Sequence, residues 1–144
     1  MKKRLVAMAA ATLVLMAAVL ARAEEFSFQV IVNEANAVSS LDKDEVGKLF
    51  LKKTTRWESG SAAQPVDQLK TAKVREDFST KILGKSLAAV DSLWRQKIFS
   101  GAAVPPLEKG SDEEVVAFVK ANVGAIGYVS KGTGLSGVKS ITVK

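Results

Sequence analysis

The chain has 144 residues, with 21 basic and 15 acidic side chains, a formal net charge of +6 at pH 7, no cysteine and no histidine. The absence of histidine removes the most common metal ligand and general base. Because there is no cysteine, the fold has no disulfide bonds and must be stabilised by its hydrophobic core. We therefore predict a protein that is not an enzyme and that has no metal site and no cofactor.

The first 23 residues have the pattern of an export signal peptide. Residues 2–4 are basic, residues 5–20 are almost wholly apolar, and small side chains precede a cleavage site expected after Ala23. An uncleaved anchor is the alternative, but the apolar run is shorter than the roughly 20 residues that a bilayer span needs. The pattern predicts a periplasmic protein whose mature domain comprises residues 24–144.

Removal of this segment changes the interpretation of the charge. It takes away four of the 21 basic residues, so 17 remain against 15 acidic residues. No basic stripe interleaved with aromatic residues is left, and we predict no nucleic-acid partner. A mature domain of this size can bury roughly two-thirds of its unfolded surface, which suffices for one domain and excludes two full lobes.

The first half of the mature chain predicts two strands and one helix. Residues 26–33 alternate and then become continuously apolar, as in a strand with a well-buried face. Asp42 and Glu45 form a capping box, which predicts a helix over residues 42–51. Residues 64–66 are a short strand candidate.

The second half predicts three helices and two strands. Apolar side chains recur at helical spacing in three segments, and serine caps open two of them. Two prolines at residues 104–107 predict a rigid connection without regular structure. The predicted helices cover residues 71–83, 86–100 and 111–122, and the predicted strands cover 125–129 and 138–143. Strands and helices alternate, which predicts an α/β fold with a small mixed sheet flanked by helices.

Two tryptophans and two glycines have structural interpretations. Trp94 lies in a helical apolar stripe and Trp57 follows the first helix, and we expect both side chains to pack in the interior. Gly124 is expected to let the chain leave the preceding helix in a sharp turn. Gly127 is expected to let another element approach the strand closely.

Three segments in a fixed order carry a resemblance to a known family. They are LFLKKTTRW at residues 49–57, VREDF at 74–78 and GAIGYV at 124–129. In this order they resemble the PBP-like (type II) domain of phosphate-type periplasmic solute-binding proteins of ABC transporters, in which the corresponding patterns are IFxGxxxxW, SGTRxxF and GAIGYV. The chain departs from these patterns at Lys52, where the family usually has glycine, and at residues 72–74, where Ala, Lys and Val replace Ser, Gly and Thr.

The resemblance implies binding of phosphate or a similar small oxyanion for an ABC transport system, with a membrane permease as partner. It implies Thr71 and Arg75 as ligand contacts, because the first amides of a helix are unpaired and lie at its positive end. Ser39 and Ser40 are further candidates because they follow the first strand, and ligands of open α/β sheets favour strand ends. A solvated helix turn and a polar loop are the alternatives for these two pairs.

The departures from the family pattern support a second hypothesis. Loss of two hydroxyl donors weakens an oxyanion site, and one lobe alone leaves a ligand half exposed. The alternative is a ligand-free PBP-fold interaction or accessory module at the cell envelope, with an envelope protein as partner. A homodimer is a further option, since a second copy would supply the missing wall.

Overall fold

The computed structural model describes residues 25–144, so the predicted export signal over residues 1–23 lies outside the described residues. The described chain forms one five-stranded sheet, ordered β4, β3, β5, β1, β6, and a two-stranded sheet of β2 and β7. The strands are β1 (Phe28–Asn33), β2 (Ser40–Leu41), β3 (Gln64–Gln68), β4 (Leu107–Lys109), β5 (Ala125–Ser130), β6 (Val138–Ser140) and β7 (Thr142–Val143).

The sheet is mixed, as predicted. β3 pairs in parallel with both β4 and β5, whereas β1 runs antiparallel to β5 and β6. The strands β3, β4 and β5 therefore end at the same end of the sheet, at Gln68, Lys109 and Ser130. We call this end the C-terminal end of the sheet.

Residues 25–144 contain four α-helices: three of them pack on the sheet, and the one over Leu87–Phe99 packs instead on the segment Ser79–Leu83 and on Leu51. Each of the predicted helices is present, and the second one continues beyond its α-helical part as a π-helical segment, Ser79–Leu83. The α-helices are α1 (Lys43–Phe50), α2 (Lys73–Phe78), α3 (Leu87–Phe99) and α4 (Asp112–Ala121). Within residues 25–144, none of these helices combines the length and apolar character that a membrane crossing requires.

The core lies on both faces of the sheet. On one face, Phe28 and Tyr128 pack with Phe50 of α1 and Phe78 of α2, and the Phe78 and Tyr128 rings stack with centroids 3.9 Å apart. On the other face, a cluster of aliphatic residues from β1, β3 and β5 packs against α4. This three-layer arrangement of helices on a mixed sheet confirms the predicted fold class.

The tryptophans and Gly127 have the predicted roles. Trp57 and Trp94 are both buried, at 7% and 6% exposure. A Cβ at Gly127 would lie 2.7 Å from Val115 and 2.8 Å from Val66, so this glycine does permit the close approach of α4. Gly124 lies in the turn between α4 and β5, as predicted, where the amide of Ala125 donates to the carbonyl of Asn122 at 3.1 Å. Its φ is not positive, and glycine is required there because a Cβ would lie 2.3 Å from the carbonyl oxygen of Ala62.

Three short strands differ from the sequence prediction. β4 begins at the last residue of the segment interpreted as a rigid connection, β2 begins at the end of a segment interpreted as a loop, and the final strand is divided at Ile141 into β6 and β7. Each is only two or three residues long, so each depends on pairing with a distant strand and leaves no periodic signal of its own.

Helix α1 ends in a Schellman motif around Lys52. The amide of Lys53 donates to the carbonyl of Lys48 at 2.9 Å, and that of Lys52 donates to the carbonyl of Leu49 at 3.2 Å. Lys52 has φ of 55° and is the single non-glycine residue with positive φ in the described chain. This left-handed conformation accounts for the glycine that the family pattern has at this position.

We predict that Lys52→Gly stabilises the protein. The left-handed conformation costs a side-chain-bearing residue about 1–2 kcal/mol, and the extra freedom of glycine in the unfolded chain offsets about 0.5–1 kcal/mol of the gain. Urea denaturation should show a net increase of about 0.5–1 kcal/mol in the free energy of unfolding. Lys53→Gly is the matched control and should be destabilising, because Lys53 has no positive φ. A loss of stability in Lys52→Gly would contradict the strain argument.

Candidate ligand-binding site

The four predicted ligand residues fall into two separate places. Ser40 pairs with Thr142 of β7, and the carbonyl of Ser39 accepts a hydrogen bond from the amide of Thr142, beyond the edge strand β6. Thr71 and Arg75 follow β3 and lie on the other side of the sheet, where Arg75 contacts β4. β5 and β1 separate β3 from β6, which places these two strands about 14 Å apart at the usual strand spacing. The groove that Ser40 lines includes neither Thr71 nor Arg75, so the structure does not bring the two pairs together in one pocket.

Ser40 lines an open groove of about 1000 Å³. The groove runs along α1, and its charged side chains include Glu45, Lys48 and Arg56. Lys48 is paired with Asp44 at 2.9 Å on the same helix. Acidic and basic groups are thus interspersed in this groove, so its charge favours neither an anionic nor a cationic ligand.

Arg75 lies at the C-terminal end of the sheet and is almost completely buried, with 5% exposure. Its Nη1 donates to the carbonyl of Gln68 and to Glu108 Oε1 at 3.2 Å, and it lies 3.3 Å from Asp67 Oδ1. These contacts all use one nitrogen. Within the described residues no partner is found for Nε and Nη2, and no fully buried polar side-chain atom lacks a partner, so these two nitrogens keep slight contact with solvent although the side chain is only 6% exposed.

Asp67 is the buried counter-ion of this arginine. Its carboxylate also accepts hydrogen bonds from the hydroxyl of Tyr128 and from the amide of Gln68, the latter at 2.9 Å. Burial raises the pKa of Asp67, and the opposing effects of Arg75 and Tyr128 only partly offset it. Burial and the Asp67 carboxylate raise the pKa of Tyr128 as well, which keeps its hydroxyl a donor.

Asp112, the first residue of α4, is a second carboxylate at this end of the sheet. Its Oδ1 accepts from Gln68 Nε2 at 2.8 Å and from the amide of Ser130 at 3.1 Å, and its Oδ2 accepts from Thr133 Oγ1 at 3.3 Å. Partial burial raises the pKa of Asp112, but the hydrogen bonds from Gln68, Ser130 and Thr133 outweigh it, and the net pKa is lowered. Negative charge is also favourable at a helix start, and Asp112 lies in the first turn of α4.

Gln68 joins the two carboxylates into one network. Its side chain is 2% exposed, and Nε2 also donates to the carbonyl of Tyr128 at 2.9 Å. Sequence reasoning missed Asp67, Gln68 and Tyr128. The signal that could have indicated the first two is their position: Asp67 and Gln68 are polar residues that directly follow Val66 in a short strand.

Thr71 is exposed and precedes Ala72, the N-cap of α2. Lys70, which could have supplied charge here, forms an ion pair with Asp91. The groups at this end that are open to a ligand are therefore the Thr71 hydroxyl, the outer edge of Arg75 and the first amides of α2. Among residues 25–144, no group of three acidic, histidine or cysteine side chains is arranged to hold a metal ion.

Known structures resemble this fold. No family model and no curated protein matches the chain. Among solved structures, an ABC-type phosphate transport receptor from Vibrio cholerae aligns with a TM-score of 0.65 at 20% identity, over 81% of this chain and 46% of the receptor. The chain has the fold of part of a phosphate receptor.

Two further structures agree with this result. A phosphate ABC transporter substrate-binding protein with bound phosphate from Clostridium perfringens aligns with a TM-score of 0.65 at 18% identity, over 81% of this chain and 44% of that protein. PstS from Borrelia burgdorferi aligns with a TM-score of 0.59 at 14% identity, over 82% and 47%. The resemblance predicted from three short segments is thus confirmed at the level of the fold, and the chain spans less than half the length of these proteins.

We predict that Asp112→Asn lowers the free energy of unfolding by about 1–2 kcal/mol at pH 7, since the charged acceptor of three hydrogen bonds is lost. Because the pKa of Asp112 is lowered from its ordinary value of 3.8, its stabilisation is complete above that pH and is lost as the pH falls through the folded-state pKa. Denaturant titrations of wild type and variant should therefore converge in strong acid. Glu113→Gln, which changes an exposed carboxylate in the same turn, is the matched control. A difference between wild type and Asp112→Asn that does not depend on pH would contradict this assignment.

Proposed function

We propose that the protein is an exported, periplasmic solute-binding protein that binds phosphate or a similar small oxyanion for an ABC transport system. The observation that carries this proposal is the alignment of 81% of the chain with the fold of a phosphate transport receptor. The export pattern in residues 1–23 and the lack of histidine and cysteine support a binding protein that is not an enzyme. A membrane permease is the partner that this role requires.

The site that we propose lies at Thr71 and Arg75. Arg75 is held through Nη1 by Asp67, Glu108 and the carbonyl of Gln68, which leaves Nε and Nη2 on the open edge of its planar fork. An oxyanion binds such an edge with two parallel hydrogen bonds. The hydroxyl of Thr71 and the amides that open α2 would supply the remaining donors.

The charge balance limits the affinity of this site. Asp67 and Glu108 lie 3.3 and 3.2 Å from the guanidinium and offset its positive charge. The chain also has Ala72 and Val74 where the family pattern has hydroxyl residues, and each charge-assisted hydrogen bond contributes about 1.5–3 kcal/mol. We therefore propose weak binding by this lobe alone. A second wall, from a permease or from a second copy in a homodimer, would enclose the ligand.

The decisive experiment is calorimetric titration of the mature chain with inorganic phosphate and sulfate. Thr71→Ala should weaken phosphate binding about 10-fold or more, because one hydrogen bond to a charged group is lost. Thr80→Ala removes an exposed threonine elsewhere and is the matched control. The double variant Ser39→Ala, Ser40→Ala should bind as wild type does. Weakening in that variant, with Thr71→Ala unaffected, would move the ligand to the groove beside Ser40, and no response of folded wild type at millimolar anion would refute binding.

A ligand-free interaction module at the cell envelope is the second candidate. The observation that favours it is that Asp67 and Asp112 already satisfy many of the donors at the C-terminal end of the sheet. Such a protein has no need for an external anion and would instead contact an envelope protein.

Analytical ultracentrifugation with and without phosphate separates the two candidates. If the proposed solute-binding role requires a second wall from another copy, phosphate should shift the protein from monomer to dimer. A monomer whose sedimentation and thermal stability are both indifferent to phosphate would favour the interaction module.

A further inference from the structure

The carboxylate of Asp112 is held as a bound anion would be held. Its two oxygens accept from Gln68 Nε2, the amide of Ser130 and Thr133 Oγ1, at 2.8, 3.1 and 3.3 Å. These donors belong to the end of β3 and to the end of β5 with the turn that follows it, so two separate segments converge on one carboxylate. They converge where neighbouring parallel strands end, which is the usual place of ligands in open α/β sheets.

The donors are fixed independently of Asp112. Gln68 is buried, and its Nε2 is also anchored on the carbonyl of Tyr128 at 2.9 Å. The amide of Ser130 is part of the last residue of β5, and the amide of Thr133 donates to the carbonyl of Ser130 at 3.1 Å. Removal of the Asp112 side chain would therefore leave a preformed set of donors rather than a collapsed one.

The helix that carries Asp112 does not need this carboxylate as its cap. The hydroxyl of Ser111 accepts from the amide of Glu114 at 3.2 Å, and Glu114 Oε2 accepts from the amide of Gly110 at 2.7 Å. The start of α4 is thus satisfied by its neighbours. Asp112 is also only half-buried, so its place is open to solvent.

We propose that Gln68 Nε2, the Ser130 amide and Thr133 Oγ1 form an oxyanion subsite that Asp112 occupies as an intramolecular competitor. This inference rests on the proposed oxyanion-binding function and adds a determinant of affinity to it. A tethered carboxylate competes at an effective concentration of the order of millimolar or higher. Free phosphate must displace it, and the affinity of the wild-type protein is reduced accordingly.

The test is phosphate titration of the mature chain with three single variants. Asp112→Ala should bind phosphate at least about tenfold more tightly than wild type, because the competitor is gone. Glu113→Ala removes the same charge from the neighbouring exposed position and should bind as wild type does. Asp112→Ser also removes the carboxylate, should fold if the alanine variant does not because serine is favoured at helix starts, and should also bind phosphate more tightly than wild type.

A second substitution locates the gained binding. Adding Thr133→Val to Asp112→Ala should abolish most of the gain, since one of the three donors is lost. An equal affinity of wild type and folded Asp112→Ala or Asp112→Ser would overturn the proposal, as would a gain that Glu113→Ala reproduces or that Thr133→Val leaves intact. A gain in Asp112→Ala with no phosphate response of wild type would support the subsite while refuting the proposed function. Phosphate binding by wild type with no gain in Asp112→Ala would support the proposed function while refuting the subsite.

Discussion

The buried contact between Asp67 and Arg75 determines how the C-terminal end of the sheet is built. A guanidinium that is 5% exposed cannot lose its charge, so it requires a carboxylate beside it. Asp67 supplies that carboxylate from β3 and accepts a hydrogen bond from the hydroxyl of Tyr128 on β5. Replacing such a pair by apolar side chains is often neutral for stability, but removing one member leaves an uncompensated charge in the interior. The pair therefore fixes the position of α2 relative to two strands more than it adds to total stability.

The same contact determines what the site can bind. Because the observed contacts all use Nη1, the guanidinium is held in one orientation, and its Nε and Nη2 have no internal partner. Orientation favours oxyanion recognition, whereas the nearby carboxylates of Asp67 and Glu108 oppose it electrostatically. Asp112 adds a third carboxylate in contact with the same network through Gln68. The positive charge of Arg75 is therefore compensated by neighbouring carboxylates, which separates this site from an arginine site without such compensation.

The elements that sequence reasoning predicted well are those whose signals are local. A helix cap and the apolar spacing that follows it are contained in about a dozen consecutive residues. For this reason α1, α3 and α4 begin at or beside the predicted caps. The strands β2, β4 and β7 have two or three residues and exist because a distant strand pairs with them, so local sequence does not define them. Lys52 shows a third situation: the family pattern indicated glycine, and only the positive φ at the Schellman motif explains why.

The binding groups were harder to predict than the fold for a related physical reason. The pattern at residues 74–78 identified Arg75, but the partners that decide its charge lie at Asp67, eight residues earlier, and at Glu108 on another strand. The position of Asp112 at the start of a helix is a local feature, yet its contacts with Gln68 and Ser130 arise only when β3 and β5 lie side by side. The local sequence predicts a residue's position on a helix. The charged neighbours that determine its electrostatic role come together only through the order of the strands in the sheet. In this chain the strand order places carboxylates at the C-terminal end of the sheet, where we propose that an anion binds. Phosphate must therefore compete with these carboxylates for the same hydrogen-bond donors.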